Sequence, residues 1–349
     1  MPRVLPARLA TISDALLRGA GVSADEAAVV TRHVIDANLA GHDSHGIIQI
    51  PTYIERVEKG HIVPGAPWKI VQESAATTVV DGHWGFGYVV NERAMLHTIE
   101  KAETANVAAA TVFRQGHIGR LASYPIMAAK RGMIALITAD SGRGPKHVAP
   151  FGGREKRLGT NPIAIAMPSN LDGPFFVDMA TSAVAAGKIK LAIARGEQIP
   201  QGWIIDREGR ATTDPMDFES GGPLLTLGGT EGYKGYGLSA MIEVFSGILT
   251  GLGHGVEPTG RHNDGCFMAV FKVSAFRDLA TFRAEVTEFA RYLKQTQPAQ
   301  GFGEVFYPGE IEHRNAEIRA REGVEVEDAT WNALRALADR FGLADTLAF

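Results

Sequence analysis

Residues 77–105 narrow the choice of fold more than any other stretch. Thr77-Thr78-Val79-Val80-Asp81 is rich in β-branched residues and reads as a strand. Gly82, Gly85 and Gly87 follow, and a helix is expected from about residue 89 to 105. A strand, clustered glycines and a helix are the parts of a dinucleotide-binding turn. The fingerprint fails twice. Val90 stands where the third glycine belongs, and no acidic residue follows a second strand at the expected spacing. A standard Rossmann turn is excluded on that ground, so any dinucleotide would be held by another fold.

The next glycine cluster carries chemistry. Gln115-Gly116-His117-Ile118-Gly119-Arg120 sets a histidine and an arginine among glycines. Histidine exchanges a proton near neutral pH, and arginine grips a carboxylate or phosphate through two parallel hydrogen bonds. The stretch continues through an apolar strand over 133–139 to Phe151-Gly152-Gly153 and Leu158-Gly159-Thr160-Asn161-Pro162. Residues 115–161 read as an active-site wall with His117 as its proton carrier.

Around this wall the pattern alternates. Helix is expected over 5–40, with a capping box at Ser23-Ala24-Asp25-Glu26 and a stop at Gly41, and again over 118–131 and 183–195. Strands are expected over 107–113, 163–167, 175–178, 203–206 and 266–273. The apolar run 236–252, interrupted by Glu243 and Ser246, reads as a buried helix, and charged helices are expected over 279–293 and 315–337. This is an α/β pattern. The 349 residues suffice for two or three units. One boundary falls at the Gly60–Pro67 connection: an N-terminal helical unit, 1–75, joined by C-terminal helices from 300–349, and an α/β unit, 76–299.

Composition removes several classes. The formal net charge of −4 announces no basic face for nucleic acid. No run approaches the roughly 18 apolar residues that cross a bilayer, and the N-terminus has no signal-peptide core. The single cysteine, Cys266, forbids an internal disulfide and suits a reducing compartment, so a soluble cytoplasmic protein is expected.

Three polar sites leave alternatives open. Gly41-His42-Asp43-Ser44-His45-Gly46 packs two histidines, an aspartate and a serine into one turn. Neighbours in a turn point in different directions, so adjacency makes no catalytic triad. His42 and His45 could meet, but no third metal ligand is signalled. A binding loop and a solvated helix end fit equally. Thr181-Ser182 before a helix fits a phosphate site or an ordinary N-cap. Lys234, among glycines and tyrosines, fits an anion contact or a solvated loop.

Seven motifs taken together resemble the malate/L-lactate dehydrogenase family of the non-Rossmann type. They are the Gly41–Gly46 turn, His117-Ile118-Gly119-Arg120, Pro150-Phe151-Gly152-Gly153, Gly159-Thr160-Asn161-Pro162, Asp178-Met179-Ala180-Thr181-Ser182, Tyr233-Lys234-Gly235-Tyr236-Gly237 and Pro308-Gly309-Glu310. They span nearly the whole chain in family order. Residues 38–47 and 180–188 resemble the hydroxycarboxylate dehydrogenases of that family most. The resemblance implies a mixed sheet flanked by helices, a helical unit built from both chain ends, a homodimer, and NAD or NADP as hydride carrier. It implies His117 as general acid/base with His45 beside it. It implies cofactor contacts at His45, Gly119-Arg120-Leu121, Asp178-Met179-Ala180-Thr181-Ser182, Tyr233-Lys234, Asn263 and Pro308-Gly309-Glu310, and no metal. The substrate would be a small 2-oxo or 2-hydroxy acid. Many members carry an arginine where this chain has Gln49, so either the substrate carboxylate falls to another cation, Arg120 or Arg143, or the substrate differs from malate and lactate; Gln49, Tyr53 and Phe113 would line its pocket. A cyclic-imine carboxylate reductase and, from another class, a metal-dependent hydrolase using His42, His45, His117 and His147 are the rival readings.

Overall fold

The structure is a computed structural model, and it describes residues 1–139, 144, 146–256, 261 and 263–347. In chain order the elements are β1 (Arg3–Val4), α1 (Pro6–Gly19), α2 (Ala24–Leu39), α3 (Ile50–Glu58), β2 (Lys69–Glu73), β3 (Thr77–Gly85), α4 (Gly87–Ala105), β4 (Val107–Gln115), α5 (Ser123–Lys130), β5 (Met133–Ala139), β6 (Ile163–Met167), β7 (Phe175–Met179), α6 (Ala186–Arg195) and α7 (Met216–Glu219). They continue with α8 (Gly232–Glu243), β8 (Cys266–Lys272), α9 (Leu279–Lys294), α10 (Glu310–Glu322), β9 (Val324–Glu325), α11 (Asp328–Arg340) and α12 (Ala344–Leu347).

Seven strands form one mixed sheet in the order β2-β3-β4-β8-β5-β6-β7. Only β3 and β4 run parallel; the other neighbours are antiparallel. The lone parallel pair is bridged by α4, so the near-fingerprint of residues 77–105 does open a strand–helix–strand crossover. Its glycine serves packing. A Cβ at Gly87 would lie 2.3 Å from the Gly116 carbonyl oxygen and 2.5 Å from that of His117. Only glycine lets α4 start against the His117 loop.

Side chains of α4 and α5 cover the sheet: Met95, Ile99, Tyr124 and Ala128 pack with Val112, Ala135, Ile137 and Met268. The chain ends meet elsewhere. β1 pairs with β9, and Leu9, Leu16, Val30, Ile50, Tyr53 and Leu334 share one apolar cluster.

Several expectations shift. Residues 5–40 are two helices, divided where Ser23 caps α2 by accepting from the Glu26 amide at 3.3 Å. The helix expected over 118–131 starts only at Ser123, because Gly119 holds φ +70°. The one expected over 183–195 starts at Ala186. That over 315–337 breaks at Gly323, φ +89°. Residues 203–206 make isolated bridges instead of a strand. The run 236–252 is not a buried helix. Ser239, Ile242, Glu243, Ser246 and Gly247 face inward through α8 and a wider turn, Val244–Ile248, while Leu238, Met241, Phe245, Ile248 and Leu249 stay exposed.

Candidate active site

His117 sits in the loop leaving β4, and three elements clamp that loop. The buried Gln115 amide donates to the Asp264 carbonyl oxygen at 2.9 Å and accepts from Asn91 at 2.5 Å. The Asp264 carboxylate accepts from the Ile118 amide at 3.1 Å, and the Tyr124 hydroxyl donates to the Ile118 carbonyl at 2.6 Å. Tyr53, from α3, places its hydroxyl 2.7 Å from Nδ1 of His117 and 2.9 Å from the Tyr88 hydroxyl. Tyr53 is 1% exposed, so it lies beneath the histidine and does not line an open pocket. The Tyr88 ring fills the space a Cβ would need at Gly119, 2.2 Å away.

His45 comes from the dense polar turn after α2. Its ring stacks on that of His117, centroids 5.5 Å apart and planes 22° apart. The turn is braced through Asp43, which accepts from Asn38 at 2.7 Å and from both terminal nitrogens of Arg319 at 2.6 and 3.0 Å. Asp43 is therefore an anchor, and the triad reading ends there. The Ser44 hydroxyl lies 3.0 Å from His45 Nδ1. Burial, then nearby His42, pushes the His45 pKa down to about 4 against the opposing pull of Asp264. His45 is neutral at physiological pH. Gln49 donates to the Ser44 carbonyl at 2.7 Å, so its amide holds the turn.

Arg120 is 8% exposed, and its Nε has no hydrogen-bond partner among the described residues. Its guanidinium lies over the Phe176 ring, 5.1 Å from the centroid. Burial lowers its pKa, opposed through space by Asp178, Glu312 and Asp36. It lines a cavity of about 410 Å³ together with Arg32, Lys130, Phe176 and Glu312. The Pro308-Gly309-Glu310 turn is fastened to the same edge, its Pro308 carbonyl accepting from the Phe176 amide at 3.2 Å. The Glu310 carboxylate is spent on Lys294, Arg314 and the Tyr307 amide.

The remaining expected positions divide. Asp178 accepts from the Ala122 amide at 2.8 Å, beside the Arg120-Leu121 segment, and burial raises its pKa. Met179 and Ala180 follow, partly exposed. The Thr181 hydroxyl donates to the carbonyls of Thr160 and Asn161, and that of Ser182 to Val184. Neither caps α6, whose N-cap is Ala185. Asn263 is buried, with its Oδ1 unpartnered among the described residues. Tyr233 and Lys234 are exposed on the first turn of α8, Lys234 paired with Glu231 at 3.6 Å. Arg143 lies outside the described residues. His147 is elsewhere, against Phe218, and His42 faces Glu312 at 3.6 Å. The four histidines of the hydrolase reading are thus not gathered, and among the described residues no group of three or more His, Cys, Asp or Glu could hold a metal.

Sequence reasoning missed Tyr88, Asp264, Gln115 and Glu243. Glu243 left a trace as a charge interrupting an apolar run, and Gln115 as the first residue of the His117 stretch, with no role attached to either. The others act across long sequence separations.

Residues 4–335 match the family model described as malate/L-lactate dehydrogenase. The chain belongs to the malate/L-lactate dehydrogenase family. It is 36% identical to L-sulfolactate dehydrogenase of Methanocaldococcus jannaschii over 334 residues, 94% of either chain. That enzyme's solved structure superposes with a TM-score of 0.89 over 98% of both chains at 35% identity. Hydroxycarboxylate dehydrogenase B of Escherichia coli K12 is 33% identical over 337 residues, 95% of this chain and 92% of that one. The structure of Δ1-piperideine-2-carboxylate reductase from Pseudomonas syringae has a TM-score of 0.84 at 28% identity, covering 97% of this chain and all of that one. Identity does not separate the branches of the malate/L-lactate dehydrogenase family for this chain. No helix among the described residues is long and apolar enough to cross a membrane.

Proposed function

We propose that the protein interconverts a 2-hydroxycarboxylate and a 2-oxocarboxylate with NAD or NADP, His117 serving as general acid/base. One observation carries the reading. The His45 and His117 rings stack, and three residues beyond His117 the buried Arg120 leaves its Nε without a partner among the described residues, beside a cavity. A buried cation is costly unless paired, and a phosphate oxygen would satisfy it. Dehydrogenases of this family depend in general on a nicotinamide cofactor.

The residues fit such a group. Arg120 offers Nε to an anionic oxygen, with Arg32 and Lys130 on the same cavity wall. Asn263 offers an unpartnered acceptor to an amide or ribose donor. The Asp178–Ser182 segment and the Pro308 turn flank the Phe176 edge, and Lys234 reaches solvent with its amine. The cofactor, when bound, accepts or supplies the hydride. His117 takes the substrate hydroxyl proton in oxidation and returns it in reduction. Its Nδ1 is committed to Tyr53, so the exchange falls to Nε2. His45, kept uncharged, stacks against that ring and fixes its plane.

Turnover of NADH or NADPH across a panel of 2-oxo acids, including 2-oxoglutarate and phenylpyruvate, tests the proposal. His117→Ala should lower turnover by about 10²–10⁴-fold while cofactor binding persists. Unchanged turnover would remove His117 from the chemistry. Likeness to the piperideine-carboxylate reductase supports a second substrate class, a cyclic imine-2-carboxylate, which the same panel should include. The exposed apolar face of Leu238, Met241, Phe245, Ile248 and Leu249 supports a homodimer, and light scattering would check it. A single, buried Cys266 with no disulfide suits the cytoplasm.

A further inference from the structure

We infer that Tyr53 and Tyr88 form a buried two-phenol relay that sets the tautomer of His117, leaving Nε2 as the nitrogen that exchanges the substrate proton. The inference rests on the proposed role of His117. Tyr53 reaches Nδ1 at 2.7 Å and Tyr88 at 2.9 Å, and both phenols are 1% exposed. Tyr53 has one hydroxyl hydrogen and cannot donate to both.

The chemistry decides the direction. If Tyr53 donated to Nδ1, the neutral ring would carry its hydrogen on Nε2 and could take no proton there. If Nδ1 donates to Tyr53, the lone pair stands on Nε2. Tyr53 then passes its own hydrogen to the Tyr88 oxygen. When Nε2 accepts the substrate proton, both ring nitrogens become donors and Nδ1 still donates to Tyr53. One hydrogen-bond arrangement therefore serves both protonation states without any side chain turning, and Tyr88 makes it work by accepting from Tyr53. Burial, reinforced by Tyr88, holds the Tyr53 phenol well above its ordinary pKa, so it remains a neutral relay throughout. The fold enforces the arrangement. α3 delivers Tyr53, the first turn of α4 delivers Tyr88, and Gly119 leaves room for the Tyr88 ring. Tyr53 is thus a positioning residue; it does not touch substrate.

Nitrogen-15 NMR of the histidine-labelled full-length protein tests this without a variant. The neutral His117 ring, assigned through loss of its signals in His117→Ala, is expected to be protonated at Nδ1; protonation at Nε2 would overturn the relay. Tyr53→Phe should lower kcat by about a hundredfold, within the roughly 10⁴-fold that a misplaced imidazole proton can cost, with NADH affinity unchanged and the Nδ1 signature lost. Tyr88→Phe should give the same signature loss with a smaller fall. A folded Tyr53→Phe protein with wild-type kcat and tautomer would sink the relay alone. Full turnover in His117→Ala would instead sink the proposed function beneath it.

Discussion

Two buried cations in this molecule have opposite surroundings. Lys146 is 6% exposed and meets Glu243 of α8 at 3.1 Å, while Asn161 donates to the other Glu243 oxygen at 2.8 Å and to the Ser239 carbonyl at 3.0 Å. Arg120 is equally buried, yet its Nε is left without a partner beside a cavity, and the acids near it act only through space. A cation neutralised within the fold ties elements together; here it pins the Asn161 loop to α8. A cation left short of partners is, on the proposed function, where a ligand's anionic oxygen would bind. The contrast separates structure from function where burial alone would group the two.

Breaking the first pair should have the largest effect. Glu243→Ala removes the carboxylate that Lys146 and Asn161 both meet inside the fold, and should cost about 3–5 kcal/mol in denaturant unfolding. Replacing both partners, Lys146→Met with Glu243→Leu, should recover most of that loss, since an apolar pair of similar volume is often neutral or stabilising. A double variant no better than the single one would show that Lys146 has a task beyond neutralisation.

A smaller, pH-dependent effect sharpens the comparison at a third, half-buried nitrogen group. The folded pKa of His45, about 4, lies below its ordinary 6.5, so the unfolded chain binds this proton first. The resulting stability is fully present above about pH 6.5 and is lost as pH falls toward about 4. His45→Asn should flatten the unfolding free energy over that window. An unaltered slope would place the loss on other groups.

Much of the scaffold was legible because it rests on local chemistry. Ser23 caps α2, a β-branched run became β3 and an apolar one β5, and the failed fingerprint argued rightly against a standard Rossmann turn. The motif order gave the family. What escaped is non-local. Tyr53 and His117 are 64 residues apart, Lys146 and Glu243 97, and Gln115 and Asp264 149. No periodicity encodes such pairs. Gly87 belonged to a fingerprint that failed, and the sequence offered no other reason for it; the His117 loop backbone supplies one. Gln49 and Tyr53 were expected at a substrate wall; the Gln49 amide donates to the Ser44 carbonyl, and the Tyr53 hydroxyl meets His117. Thr181 and Ser182 suggested a helix cap or a phosphate site, but their hydroxyls satisfy nearby carbonyls. The helical spacing of 236–252 was visible, but spacing cannot say that one apolar face would remain open.

The most direct test of the central claim is calorimetric titration of NADH and NADPH into the wild-type protein and Arg120→Met. Saturable binding of at least one nucleotide to the wild type is expected. In the variant, loss of charge-assisted hydrogen bonds should weaken it about tenfold to a hundredfold, with folding stability preserved or raised. Equal affinity in both proteins would contradict the assignment of Arg120 as the cation held open for the cofactor.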